Sequence, residues 1–340
     1  MLKTRICELF GIDYPIISAG MGGVAFAELA AAVSEAGGLG TLGLVGFTPN
    51  GIRNEVRKAR ESTSKPLAAN LIVPFMRADQ LEVLAACPIA AATFFWGDAR
   101  EHSAALEVMH KSGIKVIWQC GSAEEARNAK AAGVDVIIAQ GFEAGGHVRG
   151  VVTTLALIPD VRDTIGDMPL VAAGGIADGR GLAAALALGA DGVAIGTRFV
   201  ASVEASAHAQ YKQRLVSGTA AETLHTTLFD DGWPDAPMRV LRSKTVQEWE
   251  QAGCPPRGKR PGEGQIIGRV ERAEFELGPE VTKYGGFPTD YFEGDIDSCG
   301  FLAGQSVSLV REILPAGEIV RRIVNEACEV IEKRLKQLVQ

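Results

Sequence analysis

Several things are missing or scarce in this sequence, and each excludes a class of function. No Cys-X-X-Cys pair occurs among Cys7, Cys87, Cys120, Cys254, Cys299 and Cys328, so neither a zinc knuckle nor a redox dithiol is expected. Most of these thiols lie in apolar or helical contexts and read as buried and reduced, which points to a cytoplasmic compartment. No His/Asp/Glu cluster has metal-ligand spacing, so no metal is expected. No apolar run reaches the roughly 18 residues of a membrane helix, and the opening MLKTRICELFGIDYP lacks the apolar core of a signal peptide. Positive charge is in deficit, with 34 Lys and Arg against 41 Asp and Glu. A nucleic-acid partner, which needs a basic face, is excluded on that ground. Aromatics make up only 6%.

Glycine is abundant, at 40 of 340 residues, which implies many places where backbone approaches something closely. The 47% hydrophobic and 22% charged content is that of a soluble globular enzyme. Up to about residue 200, short apolar runs alternate with Ala-rich amphipathic ones. The apolar runs are PIISAGM (15–21), LGTLGL (39–44), LAANLIV (67–73), AAATFFW (90–96), KVIWQC (115–120), VDVIIAQG (134–141), PLVAAGG (169–175) and GVAIGTRFV (192–200). Continuous apolarity marks strands buried on both faces. Helical stretches lie between them, with Ser122 as an N-cap and Gly113, Gly133 and Gly189 as C-caps. Eight strand–helix units fit an α/β fold of the TIM (β/α)8 type, and the absence of a GxGxxG fingerprint after the first run disfavours an open doubly wound sheet.

The expected organisation is a barrel over 1–215, a cap over its mouth at 216–303, and C-terminal helices at 304–340. Residues 228–300 are irregular but carry Phe229, Trp233, Trp249, Tyr284, Phe287, Tyr291 and Phe292, more aromatics than a linker holds. A helix is expected around 243–252. Pro315 should separate a short helix from a longer one.

In such barrels function sits on the loops after the strands. Gly174-Gly175 and Gly196-Thr197 end the last two runs, and together offer a nest of backbone N–H groups to a phosphate. Asn70, Gln119 and Gln140 end three further strands. Neutral carboxamides can both donate and accept along the edge of a flavin ring. Ala19, Gly20 and Gly22 would let a flat ring lie against backbone. QGFEAGGHVRG (140–150) runs from a strand end through two glycines to His147, the side chain suited to proton transfer near neutral pH. Glu143 could orient this loop, Arg149 reads as a surface residue, and His102, His110, His208 and His225 read as bystanders on or just beyond helices.

PIISAGMGG, QGFEAGGH and AAGGIADGRGLAAALALGADGVAIGTRF, in this order over roughly residues 5–205, resemble the nitronate monooxygenase family, formerly 2-nitropropane dioxygenases. The resemblance implies a TIM barrel holding FMN non-covalently. It implies flavin contacts from Gly20, Met21, Gly22, Asn70, Gln119, Gln140, Gly145, Gly174, Gly175, Gly196 and Thr197, and a catalytic His147. The implied reaction oxidises nitronates or nitroalkanes with dioxygen to carbonyl compounds and nitrite. The alternative is NAD(P)H-dependent reduction of a quinone or enoyl thioester, as in enoyl-acyl-carrier-protein reductases that share the barrel and the EAGGH loop. The expected partners are a small-molecule substrate and dioxygen, and a homodimer is left open.

Overall fold

The computed structural model describes residues 2–271 and 278–338. Six residues of the expected cap, 272–277, and the last two of the C-terminal stretch lie outside the described residues. Eight parallel strands appear where the apolar runs stand: β1 (Ile16–Ser18), β2 (Gly40–Gly43), β3 (Leu67–Ile72), β4 (Ala91–Phe95), β5 (Lys115–Cys120), β6 (Val136–Gln140), β7 (Leu170–Ala173) and β8 (Gly192–Ile195). They pair in the order β1-β8-β7-β6-β5-β4-β3-β2. A parallel bridge between Ile17 and Leu39 joins the two ends, with Ser18 N–H donating to the Leu39 carbonyl at 3.0 Å. The sheet is thus a closed barrel.

Side chains alternate along each strand. Ala68, Ile117, Ile138, Val171 and Ala194 point inward and form one apolar cluster. Ala69, Trp118, Ile137, Ala172 and Val193 point outward, into a second cluster shared with the helices. Both faces being buried explains the uninterrupted apolar runs. The short helix Arg5–Phe10 plugs the amino-terminal end of the barrel, where Ile6, Cys7 and Phe10 join the inner cluster. The caps form as expected. Ser122 Oγ accepts from Glu125 N–H at 3.2 Å, and Gly113, Gly133 and Gly189 all have positive φ.

The last apolar run does not stay extended to Val200. The strand ends at Ile195, and Thr197–Val200 forms one helical turn. Helix Ala316–Glu329 packs against helices Gly179–Ala187 and Ala27–Glu35, and so fills the outer position that β8 lacks. Pro315 caps the start of that helix. Before it stands the 3-10 segment Gln305–Leu309, in place of the expected short α-helix.

The chain between β8 and the C-terminal helix builds two small antiparallel sheets. One contains β9 (Thr223–Thr226), β10 (Met238–Leu241) and β14 (Phe301–Leu302). The other contains β11 (Ile266–Val270), β12 (Glu280–Thr282) and β13 (Phe292–Gly294). Helix Lys244–Gln251 lies where a helix was expected. Leu228, Phe229, Met238, Val240, Val246 and Tyr284 make a separate apolar core. The Arg260 guanidinium is buried beside it, bonded to Asp230 and to the Leu228 carbonyl at 2.8 Å each, and stacked over Tyr284 at 4.1 Å. Among the described residues no helix is long and apolar enough to cross a membrane.

Candidate active site

The alternation that builds the barrel interior also builds the site. Asn70, Gln119 and Gln140 each stand two residues beyond an inward apolar residue, Ala68, Ile117 and Ile138. They therefore continue the inner row into its last layer. Thr41 and Thr93 follow Leu39 and Ala91 in the same way. One cavity at the carboxyl ends of the strands is lined by every residue singled out from the sequence: Gly20, Met21, Gly22, Asn70, Gln119, Gln140, Gly145, His147, Gly174, Gly175, Gly196 and Thr197. Thr41, Thr93, Tyr211, Leu302 and Ser306 line it too and were not singled out. Two of these are polar strand-end residues at the same offset as the carboxamides, and that offset was the available signal. Inside a β-type run, threonine reads only as a strand former.

The cavity is rich in polar groups without partners. Thr41 Oγ1, Thr93 Oγ1, Gln140 Oε1 and His147 Nδ1 are buried and make no hydrogen bond. Buried polar atoms are nearly always paired, so such a cluster marks a place where a ligand supplies the partner. At the ends of β7 and β8, the N–H groups of Gly175, Ile176, Gly196 and Thr197 donate to no protein atom among the described residues. Gly174 and Gly175 have φ of +95° and +74°, a conformation other residues rarely adopt, which turns these amides out of the sheet. The Thr197 hydroxyl accepts from Gly304 N–H at 3.0 Å, so its own proton is left to donate elsewhere. Asn70 Nδ2 donates to the Thr93 carbonyl at 3.1 Å, and Gln140 Nε2 to the His147 carbonyl at 3.1 Å.

The His147 loop is held from outside the barrel. Gly146 and His147 pair antiparallel with Arg239 and Met238 of β10. Val148 N–H donates to the Pro237 carbonyl at 2.9 Å, and Gln305 N–H to the Glu143 carbonyl at 2.8 Å. Gly145 passes so close to the cap that a Cβ there would lie 2.2 Å from Gly304 N. The buried Arg239 stacks on Phe142 at 4.6 Å and donates to its carbonyl at 2.8 Å. Glu143 accepts from Thr154 N–H and Oγ1 at 2.8 and 3.0 Å, tying the loop to the start of helix Thr154–Ile165. Arg149 pairs with Glu125 at 3.0 Å. His225 is not on or beyond a helix but within β9. Its Nε2 lies 3.3 Å from the Val148 carbonyl and its ring 4.8 Å from Phe142, so it belongs to the same clamp. Strand β10 is short and its partner has only two residues, so no periodicity announces this pairing.

The His147 ring also touches Trp233, at 4.1 Å between centroids, and Trp96, at 5.8 Å. Burial pulls its pKa down from 6.5 to about 4, partly opposed by the nearby carbonyls of Ala236 and Pro237. The imidazole is therefore neutral at physiological pH.

The nitronate monooxygenase family model matches residues 3–326. The chain belongs to that family. It is 33% identical over 374 residues to the nitronate monooxygenase of Pseudomonas aeruginosa, covering 96% of this chain and 99% of that one. It is 38% identical over 260 residues to the (3aS,4S,5R,7aS)-5-hydroxy-7a-methyl-1-oxo-octahydro-1H-indene-4-carboxyl-CoA dehydrogenase of Mycobacterium tuberculosis, covering 76% of this chain and 71% of that one. Among solved structures, FabK from Thermotoga maritima superposes with a TM-score of 0.82 at 34% identity, covering 99% of this chain and 100% of that one. The chain is thus an FMN-type oxidoreductase on a TIM barrel. The residues present fit such a cofactor: free amides and a free hydroxyl proton suit a phosphate, and orphaned carboxamide and hydroxyl groups suit the edge of a heteroaromatic ring.

Proposed function

We propose that this protein oxidises nitroalkanes and their nitronates with dioxygen to carbonyl compounds and nitrite, using bound FMN. The observation that carries this reading is the position of a neutral imidazole, His147, whose buried Nδ1 makes no hydrogen bond, in the same cavity as the amide nest and the carboxamides.

In this reading Gly174, Gly175, Gly196 and Thr197 hold the FMN phosphate. Asn70, Gln119 and Gln140 meet the polar edge of the ring, and Gly20, Met21, Gly22 and Gly145 leave room for its flat body. When bound, FMN would supply the one-electron redox chemistry between nitronate and dioxygen. His147 supplies the proton step: its neutral nitrogen takes the acidic α-proton of the nitroalkane. Burial disfavours the imidazolium on its own, but the nitronate formed beside it is an anion, and in a poorly solvated site that countercharge stabilises the protonated ring. Arg239 and β10 hold the loop so that the imidazole stays in reach of the substrate.

A second reading is favoured by the similarity to a CoA-ester dehydrogenase and to FabK. Here NAD(P)H would reduce FMN and hydride would pass to a quinone or an enoyl thioester. This route also needs a group that delivers a proton to the reduced substrate. Anaerobic mixing separates the two. Loss of the yellow colour with ethyl nitronate, and slow or no bleaching with NADH and NADPH, is the expected result. Fast bleaching by a nicotinamide with no response to nitronate would replace the first reading with the second.

A further inference from the structure

The four tryptophans fall into two pairs. The indole N–H of Trp118 donates to the Gly97 carbonyl at 3.2 Å, and that of Trp249 to the Pro255 carbonyl at 2.9 Å. Those of Trp96 and Trp233 donate to no protein atom among the described residues, although both side chains are half-buried. Neither nitrogen is among the buried unpartnered atoms, so both N–H groups are reachable from outside the cluster.

These two indoles lie together beside His147. Their ring centroids are 4.8 Å apart, and Phe75 extends the cluster 5.0 Å beyond Trp233. Trp96 has φ of +73°, a left-handed conformation that is an outlier for so bulky a residue. Strain of this kind persists where the surroundings impose it, and gathers at ligand sites. Here the next carbonyl, Gly97, is fixed by Trp118. Trp233 rides on a turn whose neighbours Gly232 and Asp235 are exposed and left-handed, at φ +88° and +58°. The turn is anchored on one side by the Asp230–Arg260 pair at 2.8 Å and on the other by Pro237. The guanidinium of Arg149, 6.0 Å from the Trp96 ring, is already paired with Glu125.

We propose that Trp96 and Trp233 form an aromatic subsite that takes a flat group of the substrate beside His147, the Trp233 indole exchanging the imidazole for that group. The inference rests on the reading of His147 as the base that meets substrate, and it narrows the substrate class to nitro compounds whose substituent is planar. Flat faces stack on indoles and a branched group cannot, so the subsite selects planarity over bulk. The exposed Asp235 carboxylate on the same turn disfavours an anionic substituent.

The test is equilibrium dialysis of the purified protein with nitrobenzene and, separately, with 2-methyl-2-nitropropane. Both carry a nitro group and neither has an α-hydrogen, so binding is read without turnover. The expected result is tighter binding of nitrobenzene, a loss of about tenfold in that affinity in Trp233→Ala, and little change for the branched probe, a tenfold change being about 1.4 kcal/mol. Trp233→Phe, which keeps a flat ring, should retain most of the preference. Should Trp233→Ala fail to fold, Trp233→Phe and Trp96→Phe are compared with Trp96→Leu, and only the leucine variant should lose the preference. Equal affinity for both probes in the wild type, or equal losses in the variants, would overturn the proposal. A retained preference for nitrobenzene in a protein that oxidises no nitroalkane would leave the subsite standing and remove the reaction assigned to it.

Discussion

At the open end of the barrel Thr41, Thr93 and Gln140 each bury a side-chain atom with no partner. In the cap, Arg260 is ringed by Asp230, Glu263 and the Leu228 carbonyl, Lys283 is bonded to Glu248, and Thr245 donates to the Ser298 carbonyl at 2.7 Å. The cap uses these polar groups to hold itself together without a large apolar core; it too buries unpartnered atoms, Arg239 Nε, Ser243 Oγ and Thr289 Oγ1, but these do not converge on the cavity as those of the barrel do. The barrel is stable through its two apolar layers and can leave polar groups unsatisfied at one end. An unpaired buried polar group costs roughly 1–3 kcal/mol, which a ligand recovers on binding. In the proposed reading the tasks are separate: the barrel would grip the cofactor, and the cap would aim His147.

Replacing His147 should give the largest change in rate. His147→Ala is expected to keep FMN and to slow turnover of a neutral nitroalkane by about 10²–10⁴, the usual contribution of a positioned base. Turnover of pre-formed nitronate should fall much less, since that anion needs no deprotonation. Steady-state kinetics on both substrates check this, and equal losses would make His147 a binding residue.

A smaller effect is expected where the cap meets the loop. Arg239→Met keeps an apolar stem over Phe142 and removes the donor to its carbonyl. The stranded carbonyl should cost about 1–3 kcal/mol of stability, read as a lower urea midpoint. Displacement of the loop should lower kcat by about 10–10². Flavin content should not change, because no FMN contact is assigned to the cap; a large loss of flavin would break the division of labour.

The pH profile gives the smallest effect. An ordinary histidine base would lose activity as pH falls through 6.5. With His147 lowered to about 4 by burial, the acid limb of kcat/KM on a neutral nitroalkane should lie well below 6.5, with activity retained at pH 6. A limb at the ordinary value would mean that the ring is solvated in the working enzyme.

The barrel was legible because each strand is buried on both faces, so its apolar run survives as a block in the sequence. The carboxamides were legible because they interrupt such runs at their ends. Thr41 and Thr93 occupy the same layer but look like ordinary strand residues. The run at 192–200 misled because Phe199 and Val200 prolong the apolar pattern of β8 although Thr197–Val200 is helical. His225 and Arg239 escaped notice for a different reason. Their importance lies in pairing with a loop far away in sequence, through strands too short to show a period. Trp96 and Trp233 were likewise invisible as a pair, since they come from β4's end and from the cap.

If the barrel grips the flavin through a phosphate at the ends of β7 and β8, altering that nest should empty the site. The most direct measurement is the flavin-to-protein ratio, with chromatography of the released cofactor, for the wild type and Gly175→Asp. Aspartate tolerates the left-handed backbone at Gly175 better than most residues, but the added Cβ would crowd Glu143 Cβ at 3.3 Å, so circular dichroism of the variant is part of the measurement. Its carboxylate would stand beside the phosphate and repel it. The account predicts stoichiometric FMN in the wild type and none in a Gly175→Asp protein that retains its circular dichroism. Release of FAD, or a normal FMN content in the folded variant, would contradict it.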